Sequence, residues 1–321
     1  MIKEHFNYDI NKFLIEYDKL HPNAPKASKD NFYYSLKRIE KIYNKPLPKI
    51  KLEFIFNLTD FLRKLNNNNF SFNTIYSTMS SISKLIKIIN PELKIEKEIR
   101  EIMNKLIDKR NNINLEQVKN IKEETNWINY KSIIKKLDNE LTNFLFDEVL
   151  EVKYRNFLIL NLMIREFPVR LGNFNDMYIK EKIPFQSIKE LDKDKNYIIK
   201  NNDESFIFVF NKYKTSKTYG TIIQPVENET NIELLKHYFE IYEPTIYFLR
   251  NNNNKILSSK SLGDALGYIT KELLGKKLSV DMIRHIYITH FMEQNPKLRD
   301  KVALADLMGH NLQQQELYKR Y

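Results

Sequence analysis

Residues 281–290 read DMIRHIYITH, within a stretch whose helical periodicity begins after Ser259 and continues to residue 321. Arg284 stands among apolar neighbours there. If these residues form a helix, its guanidinium lies on the apolar face that would pack into a core. A buried, unpaired charge is strongly unfavourable, which means that Arg284 requires either a structural ion pair or a bound anion such as phosphate. His285 and His290 are five residues apart with no Glu between them, so we predict structural contacts for both and no metal site.

The composition narrows the possible chemistry. The chain has 321 residues, a formal net charge of +11 and no cysteine. The missing thiols exclude disulfides, a cysteine nucleophile, a cysteine-bearing zinc site and an iron–sulfur cluster. The basic balance favours a polyanionic partner. The abundance of Asn, Ile, Lys and Tyr is also typical of AT-rich coding DNA, which would account for part of the lysine excess.

Neither a secretory signal nor a membrane span is predicted. The first residues are charged and polar, unlike a signal peptide. The longest apolar run, about Phe157–Ile164, is far shorter than the ~20 residues that cross a bilayer. We therefore expect no membrane partner.

Two domains are predicted, residues 1–118 and residues 119–321. The first part has no strand signal, and apolar residues recur at helical spacing after Ser71, which is a good helix N-cap. We predict an all-helical domain there, and it carries seven of the eleven net positive charges. The polar stretch Asn111–Glu124 is predicted to be the linker.

The second part mixes helices and strands. Predicted helices near Tyr130–Asp138 and Tyr154–Glu166 are followed by β-rich runs separated by polar turns, and the helical period then returns. The β-rich runs predict a three-stranded antiparallel sheet: Tyr197–Lys200, Ser205–Asn211 and Thr221–Val226. The predicted fold class is therefore mostly α with a small antiparallel β-sheet (α+β), in which a mixed α/β domain follows the helical one.

Two basic clusters precede residues 281–290. Residues 168–173 follow a buried-looking helix and contain Arg170, which alone would be an ordinary charge at a helix C-terminus. Residues 211–220 form a predicted hairpin. The hairpin contains three basic residues: Lys212, Lys214 and Lys217.

One further cluster follows residues 281–290. Met308-Gly309-His310 stands eight residues before Tyr318. A histidine alone would more often be a capped or core residue. Tyr321 lies three residues beyond Tyr318, so both tyrosines would share one face of a terminal helix.

Taken together and in this order, the clusters resemble the signature of the tyrosine recombinase (integrase) family of viruses and mobile elements. That signature is an Arg after a helix, a Lys on a β-hairpin, a His-x-x-Arg-His box, a Leu-Gly-His box and a Tyr shortly afterwards. The resemblance covers about residues 120–321 and implies a helical core-binding domain before the catalytic domain. It also implies a catalytic set: Arg170, Lys214, Arg284, His310 and Tyr318.

The chemistry that the resemblance implies needs such a set. Two guanidinium groups bind the non-bridging oxygens of a phosphodiester by bidentate, charge-assisted bonds. Fixed cations stabilise the charge that develops on those oxygens. A tyrosine oxygen attacks and forms a covalent 3′-phosphotyrosine, and a lysine protonates the leaving 5′-oxygen. The phosphotyrosine bond conserves the energy of the broken linkage, so neither a metal nor a cofactor is implied.

The assignment of the hairpin lysine has an alternative. Lys214 begins a Lys-Thr pair, as in many family members, and is the preferred general acid. Lys217 has the better spacing to Pro225 and is the alternative. Lys212 and Lys217 are also predicted to contact the DNA backbone.

The sequence departs from the family pattern at two positions. Asp281 stands three residues before Arg284, where the family has His or Lys, and is either an acceptor for the tyrosine proton or a helix cap. Asn173 stands where an acidic residue often orients the first arginine. Asp176 is the candidate that would orient Arg170 in its place.

The resemblance implies double-stranded DNA as substrate and a homotetramer on two DNA sites, with no small-molecule cofactor. Only three residues follow Tyr318 in this sequence, so exchange of a C-terminal tail between protomers is not expected. We expect a soluble intracellular protein, located wherever its DNA lies: host nucleus, cytoplasm or viral factory. Two alternatives stay open, a monomeric type IB topoisomerase with a related catalytic set and a DNA-binding accessory protein whose site has decayed, as Asp281 permits.

Overall fold

The computed structural model describes residues 8–50, 53–89, 96–251 and 253–321. The chain forms two compact units, Met1–Glu116 and Gln117–Tyr321, here called unit 1 and unit 2. Within the described ranges, no helix combines the length and the apolar character that a membrane span requires. The predicted fold class, mostly α with a small β-sheet, is confirmed.

The described part of unit 1 is built from helices alone. They are α1 (Ile10–Leu20), α2 (Lys26–Tyr43), α3 (Glu53–Phe56), α4 (Leu58–Asn67), α5 (Phe72–Ile89) and α6 (Glu96–Glu116). Helix α5 begins directly after Ser71, whose hydroxyl accepts a hydrogen bond from the Thr74 amide at 3.3 Å, so the predicted N-cap is confirmed. Its apolar face packs against α2 and α1 and closes a core of aromatic and aliphatic side chains.

The predicted linker, Asn111–Glu124, is largely helical. Helix α6 continues to Glu116, and α7 (Ile121–Asn126) begins five residues later. Asn120 and Glu123 form a reciprocal capping box, in which their side chains accept hydrogen bonds from backbone N–H groups at the start of α7. The boundary between the two units, after Glu116, falls within this predicted linker. Its helical content was not evident from the sequence, because polar composition alone does not distinguish a capped helix from a loop.

The remaining helices belong to unit 2. They are α8 (Tyr130–Phe146), α9 (Glu151–Arg165), α10 (Ser216–Tyr219), α11 (Glu229–Ile241), α12 (Ser259–Leu274), α13 (Val280–Glu293), α14 (Leu298–Leu307) and α15 (Leu312–Glu316). Every residue of α9 from Tyr154 to Ile164 is buried, so this helix is enclosed on all sides. Helices α8, α11, α12 and α13 pack around it. The segment that directly follows α9 contains Pro168 and Arg170.

The sheet of unit 2 has four strands in the order β1 (Met177–Glu181), β2 (Asn196–Lys200), β3 (Phe206–Phe210) and β4 (Ile222–Pro225). The predicted antiparallel pairing of the last three is confirmed. The prediction of a three-stranded antiparallel sheet is nevertheless wrong, since β1 adds a fourth strand parallel to β2. Strand β1 reads MYIKE and ends in exposed charged residues, so it lacks the apolar run that marked the others. The predicted hairpin turn also contains a short helix, α10.

Two phenylalanines of α8 allow a test of how much side-chain burial in the core contributes to the stability of unit 2. Phe144 is 3% exposed and stacks on Phe157 with ring centroids 3.8 Å apart, whereas Phe146 is 80% exposed. We expect Phe144→Ala to lower the free energy of unfolding by about 3–5 kcal/mol, because it leaves a cavity. The matched variant Phe146→Ala should change that free energy by less than about 0.5 kcal/mol.

The measurement is urea unfolding followed by the fluorescence of Trp127. It is the only tryptophan of the chain and packs against the same core, so it reports on unit 2. Equal losses of stability in the two variants would contradict the packing described for α8.

Candidate active site

Arg284 lies at the centre of the candidate site. Ser279 caps α13, with its hydroxyl accepting from the Met282 amide at 3.3 Å, and the first turns of this helix bury Arg284 to 1% exposure. The guanidinium Nε donates to the carbonyl oxygen of Pro168 at 3.0 Å, and Nη1 donates to the hydroxyl of Tyr318 at 2.8 Å. A single side chain thus connects α13, the turn after α9 and the segment after α15.

Tyr318 is half-buried and faces this guanidinium. The carbon centre of the Arg284 guanidinium lies 4.6 Å from the centroid of its ring, in addition to the hydrogen bond to its oxygen. Tyr321, the other tyrosine on the predicted terminal face, is 67% exposed, and its ring lies against Lys319 instead. The structure therefore brings Tyr318 and not Tyr321 to Arg284.

His310 borders the same space. Gly309 before it has φ +63°, a left-handed conformation that favours glycine, and His310 itself is 5% exposed. Its ring centroid lies 5.3 Å from that of Tyr318. Burial, together with the positive charges of Arg284 and Arg170, lowers the pKa of His310 to about 4. The imidazole is therefore neutral at pH 7, with one ring nitrogen as donor and the other as acceptor.

Arg170 is half-buried on the turn that follows α9. Its carbonyl accepts from the Asn173 amide at 2.9 Å, which fixes the turn. Burial is the largest cause that lowers the pKa of Arg284 and of His310. The positive charge of Arg170 also lowers both pKa values, so the three groups form one electrostatic cluster. Asp176 accepts from the ammonium of Lys212 at 3.4 Å, so the prediction that it orients Arg170 is not supported by any described contact.

Asp281 occupies the solvent side of Arg284. Its side chain is 78% exposed, and Oδ1 lies 3.7 Å from Nη1 of Arg284. The alternative role as a helix cap is wrong, because Ser279 caps α13 and Asp281 lies within the first turn.

The connection between β3 and β4 packs onto the Gly309 turn. The hydroxyl of Thr215 donates to the carbonyl oxygen of Gly309 at 2.7 Å, and a Cβ at Gly309 would lie 2.9 Å from the Tyr213 ring. Lys214 stands between these two contact residues and is exposed, and Lys217 is exposed on α10. Among the described residues, neither lysine has a hydrogen bond or an ion pair, so the geometry leaves both available to a ligand.

Asn196 is a residue that the sequence analysis missed. It is fully buried at the start of β2, and its amide nitrogen donates to the carbonyls of Asn173 at 3.0 Å and of Lys212 at 2.9 Å. Its amide oxygen accepts from the backbone N–H groups of Asn211 and Lys212. One side chain therefore joins the turn of Arg170 to the lysine-bearing connection. No local pattern marks such a role, because its partners lie in other parts of the sequence.

The two histidines of residues 281–290 make structural contacts, as predicted. His285 lies 2.7 Å from the carbonyl oxygen of Tyr318 through Nδ1, and His290 stacks on Tyr130 with ring centroids 4.1 Å apart. In the part of the chain that the structure describes, no group of His, Asp and Glu side chains could hold a metal ion.

The site holds buried nitrogens that have no partner among the described residues. They are Nη2 of Arg284 and both ring nitrogens of His310. Buried polar groups are nearly always hydrogen-bonded, so unpartnered donors beside a fixed cation indicate a ligand that accepts. An oxyanion such as a phosphodiester fits these donors, because the guanidinium still has an N–H pair free for its oxygens.

The fold is that of the tyrosine recombinases. The integrase of transposon Tn1549, in complex with transposon right end DNA, matches with a TM-score of 0.58 over 98% of this chain and 95% of that chain, at 13% identity. The XerH site-specific recombinase bound to its difH substrate, in a pre-cleavage complex, matches with a TM-score of 0.52 over 98% and 82%, at 14% identity. No protein-family model and no curated protein sequence matches this chain.

The lowered pKa of His310 predicts a pH dependence of stability. Between about pH 4 and pH 6.5 the unfolded chain binds the proton and the folded site does not, so the free energy of unfolding falls as the pH falls through this window. His310→Gln removes this contribution and should make the fall smaller. Other histidines with lowered pKa values remain in both proteins, so the difference between them isolates His310.

The experiment compares urea unfolding, monitored by Trp127 fluorescence, at about pH 7.5 and about pH 5. An identical decrease in the natural protein and in His310→Gln would contradict a buried, neutral His310.

Proposed function

We propose that this chain is a site-specific DNA recombinase of the integrase type, which cleaves and rejoins strands through a covalent 3′-phosphotyrosine at Tyr318. One observation carries the proposal: the Tyr318 hydroxyl is held 2.8 Å from Nη1 of a buried arginine whose Nη2 has no partner among the described residues. A nucleophile and a cationic group that can bind a phosphate therefore lie side by side. The tyrosine recombinase fold supports the same reading.

Each group has a proposed part in the cleavage step. Arg284, Arg170 and His310 bind the non-bridging oxygens of the scissile phosphate and stabilise their developing charge. The oxygen of Tyr318 attacks phosphorus, the bond to the 5′-oxygen breaks, and Lys214 gives that oxygen a proton. Asp281, beside Arg284 on the solvent side, is the proposed acceptor of the phenol proton. The reverse sequence with another 5′-hydroxyl rejoins the strands, so no cofactor takes part.

The proposed partner is double-stranded DNA, with four protomers on two sites. Residues 1–118 carry seven of the eleven net positive charges, and we assign them the part of a DNA-binding clamp domain and residues 119–321 the part of a catalytic domain. Lys212 and Lys217, exposed near the site, are proposed contacts to the DNA backbone. One structural neighbour is a transposon integrase, which supports integration of a mobile or viral element as the biological use.

The decisive experiment detects the covalent intermediate. The protein is incubated with a pool of nicked DNA duplexes of randomised sequence, in which cleavage near the nick releases a short strand and traps the adduct. We expect an adduct that survives denaturation, and its DNA gives the target sequence. Tyr318→Phe should abolish the adduct, because phenylalanine has no oxygen to attack phosphorus.

Tyr321→Phe is the matched control and should leave the adduct yield unchanged, since the Tyr321 side chain is exposed and does not contact Arg284. An adduct that persists in Tyr318→Phe would contradict the assigned nucleophile. No adduct from the unmodified protein, together with salt-sensitive DNA binding, would instead indicate a decayed accessory protein. Relaxation of a supercoiled plasmid that carries a single site, without strand exchange, would indicate a topoisomerase.

The general acid can be identified with a modified duplex of the recovered sequence. A sulfur in place of the leaving 5′-oxygen leaves readily as a thiolate and needs no proton. Lys214→Ala should slow cleavage of the ordinary duplex by about 10²- to 10⁴-fold and cleave the sulfur-substituted duplex at the unmodified rate. Lys217→Ala, the matched control, should change cleavage of the two duplexes by the same factor, because the loss of a DNA-backbone contact does not depend on the leaving atom. The opposite pattern would assign the role to Lys217.

A further inference from the structure

The segment that carries Tyr318 is tied to the start of unit 2. The Tyr321 amide donates to the carbonyl oxygen of Gln117 at 2.9 Å, and the Gln117 side chain donates in turn to the carbonyl oxygen of Glu316. The ammonium of Lys119 donates to the carbonyl oxygen of Tyr321 at 2.6 Å. Glu316 and Tyr321, which precede and follow Tyr318, are therefore both bound to residues 117–119.

Arg320 makes further contacts that hold the same segment. Its Nη1 donates to the carbonyl oxygens of Leu317 at 2.7 Å and of Lys319 at 3.0 Å, the residues immediately before and after Tyr318. Its Nε lies 3.4 Å from Oε2 of Glu123, and both side chains are about nine-tenths buried, at 11% and 9% exposure. The planar guanidinium thus holds the backbone on each side of the tyrosine and is itself held by a carboxylate.

Glu123 is fixed independently of Arg320. Its Oε2 also accepts from the Asn120 amide at 3.0 Å, and its own amide donates to the Asn120 side chain, as the capping box of α7. The position of the carboxylate is therefore fixed by contacts that do not involve Arg320. A helix N-terminus also favours a negative charge in its first turn, which keeps Glu123 suited to pair with a cation.

His285 connects this pair to Tyr318 itself. Its Nδ1 lies 2.7 Å from the carbonyl oxygen of Tyr318, and a carbonyl only accepts, so Nδ1 carries the hydrogen. The other nitrogen, Nε2, then accepts from Nη2 of Arg320 at 3.1 Å. His285 directly follows Arg284 on α13, so the backbone and the hydroxyl of Tyr318 are both held by adjacent residues of one helix.

We propose that Glu123 and Arg320, acting through His285, are positioning residues that hold Tyr318 in place for attack. This inference rests on the proposed function, since it assigns how the nucleophile of that reaction is oriented. The need is physical: helix α15 has only five residues, and so short a helix is not stable without contacts to the rest of the unit. The network stabilises the one segment whose displacement would separate the hydroxyl from Arg284.

Glu123→Gln is the most direct test. Glutamine keeps the capping box, since its side-chain oxygen still accepts from the Asn120 amide, but it removes the charge that holds Arg320. With the duplex recovered by trapping, single-turnover cleavage at saturating protein should slow by about 10- to 100-fold, because a nucleophile displaced by about 1 Å loses that much rate. The dissociation constant for the same duplex should change by less than about twofold, since neither residue is placed against DNA.

Two further variants sharpen the test. Glu124→Gln removes the same charge one position along the chain, from an exposed side chain, and should behave like the unmodified protein. Arg320→Lys keeps a cation but not the planar fork and should slow cleavage to a similar extent as Glu123→Gln. The double variant should be no slower than either single one, because both substitutions break the same network.

A second readout does not depend on cleavage. Amide hydrogen exchange of residues 316–321 in the DNA-free protein should accelerate by about 10-fold or more in Glu123→Gln, with α9 as an unchanged reference. Exchange equal to that of Glu124→Gln would overturn the anchoring, whatever the cleavage assay gives. Faster exchange with an unchanged cleavage rate would overturn the positioning role. Faster exchange in a protein that forms no adduct would leave the anchor standing and overturn the proposed reaction.

Discussion

The candidate site is organised by a positive charge that has been removed from water. Arg284 is 1% exposed, and its described partners are a carbonyl oxygen and a phenol oxygen, with an exposed carboxylate no nearer than 3.7 Å. A buried guanidinium needs its donors satisfied, so the chain must bring acceptors to it from separate elements. The turn after α9 supplies Pro168, and the segment after α15 supplies Tyr318. The tyrosine hydroxyl is therefore one of the acceptors that satisfy this arginine.

The same charge explains the state of its neighbours. Repulsion from Arg284 and Arg170 adds to burial in keeping His310 neutral, although its ring nitrogens have no partner among the described residues. Buried cationic groups of this kind favour an anionic ligand over a cationic one. The left-handed Gly309 and the Thr215 contact then hold the lysine-bearing connection at the edge of the space. Preorganised cations of this type stabilise a transition state without reorganisation.

Much of this arrangement could be predicted, because its signals are local. Arg284 interrupts an apolar helix, and His310 follows a glycine a short distance before Tyr318, which matches the pattern of the family that the sequence resembles. Strands β2 to β4 were marked by apolar runs, whereas the short β1 was not. Asn196 and Glu123 could not be predicted, because their roles depend on partners distant in sequence. Glu123 also lies in a polar stretch whose composition gives no sign that the residue is 7% exposed.

The hydrogen bond between Tyr321 and Gln117 has a topological consequence. It places the first residue of unit 2 beside residue 321, so the unit comes close to a closed ring of chain. Ends that lie close together can be joined by a short linker, and new ends can be made elsewhere, for example in the exposed turn between β2 and β3. Tyr318 would then precede Arg170. The site therefore depends on which side chains meet in space, and not on the order in which they follow one another along the chain.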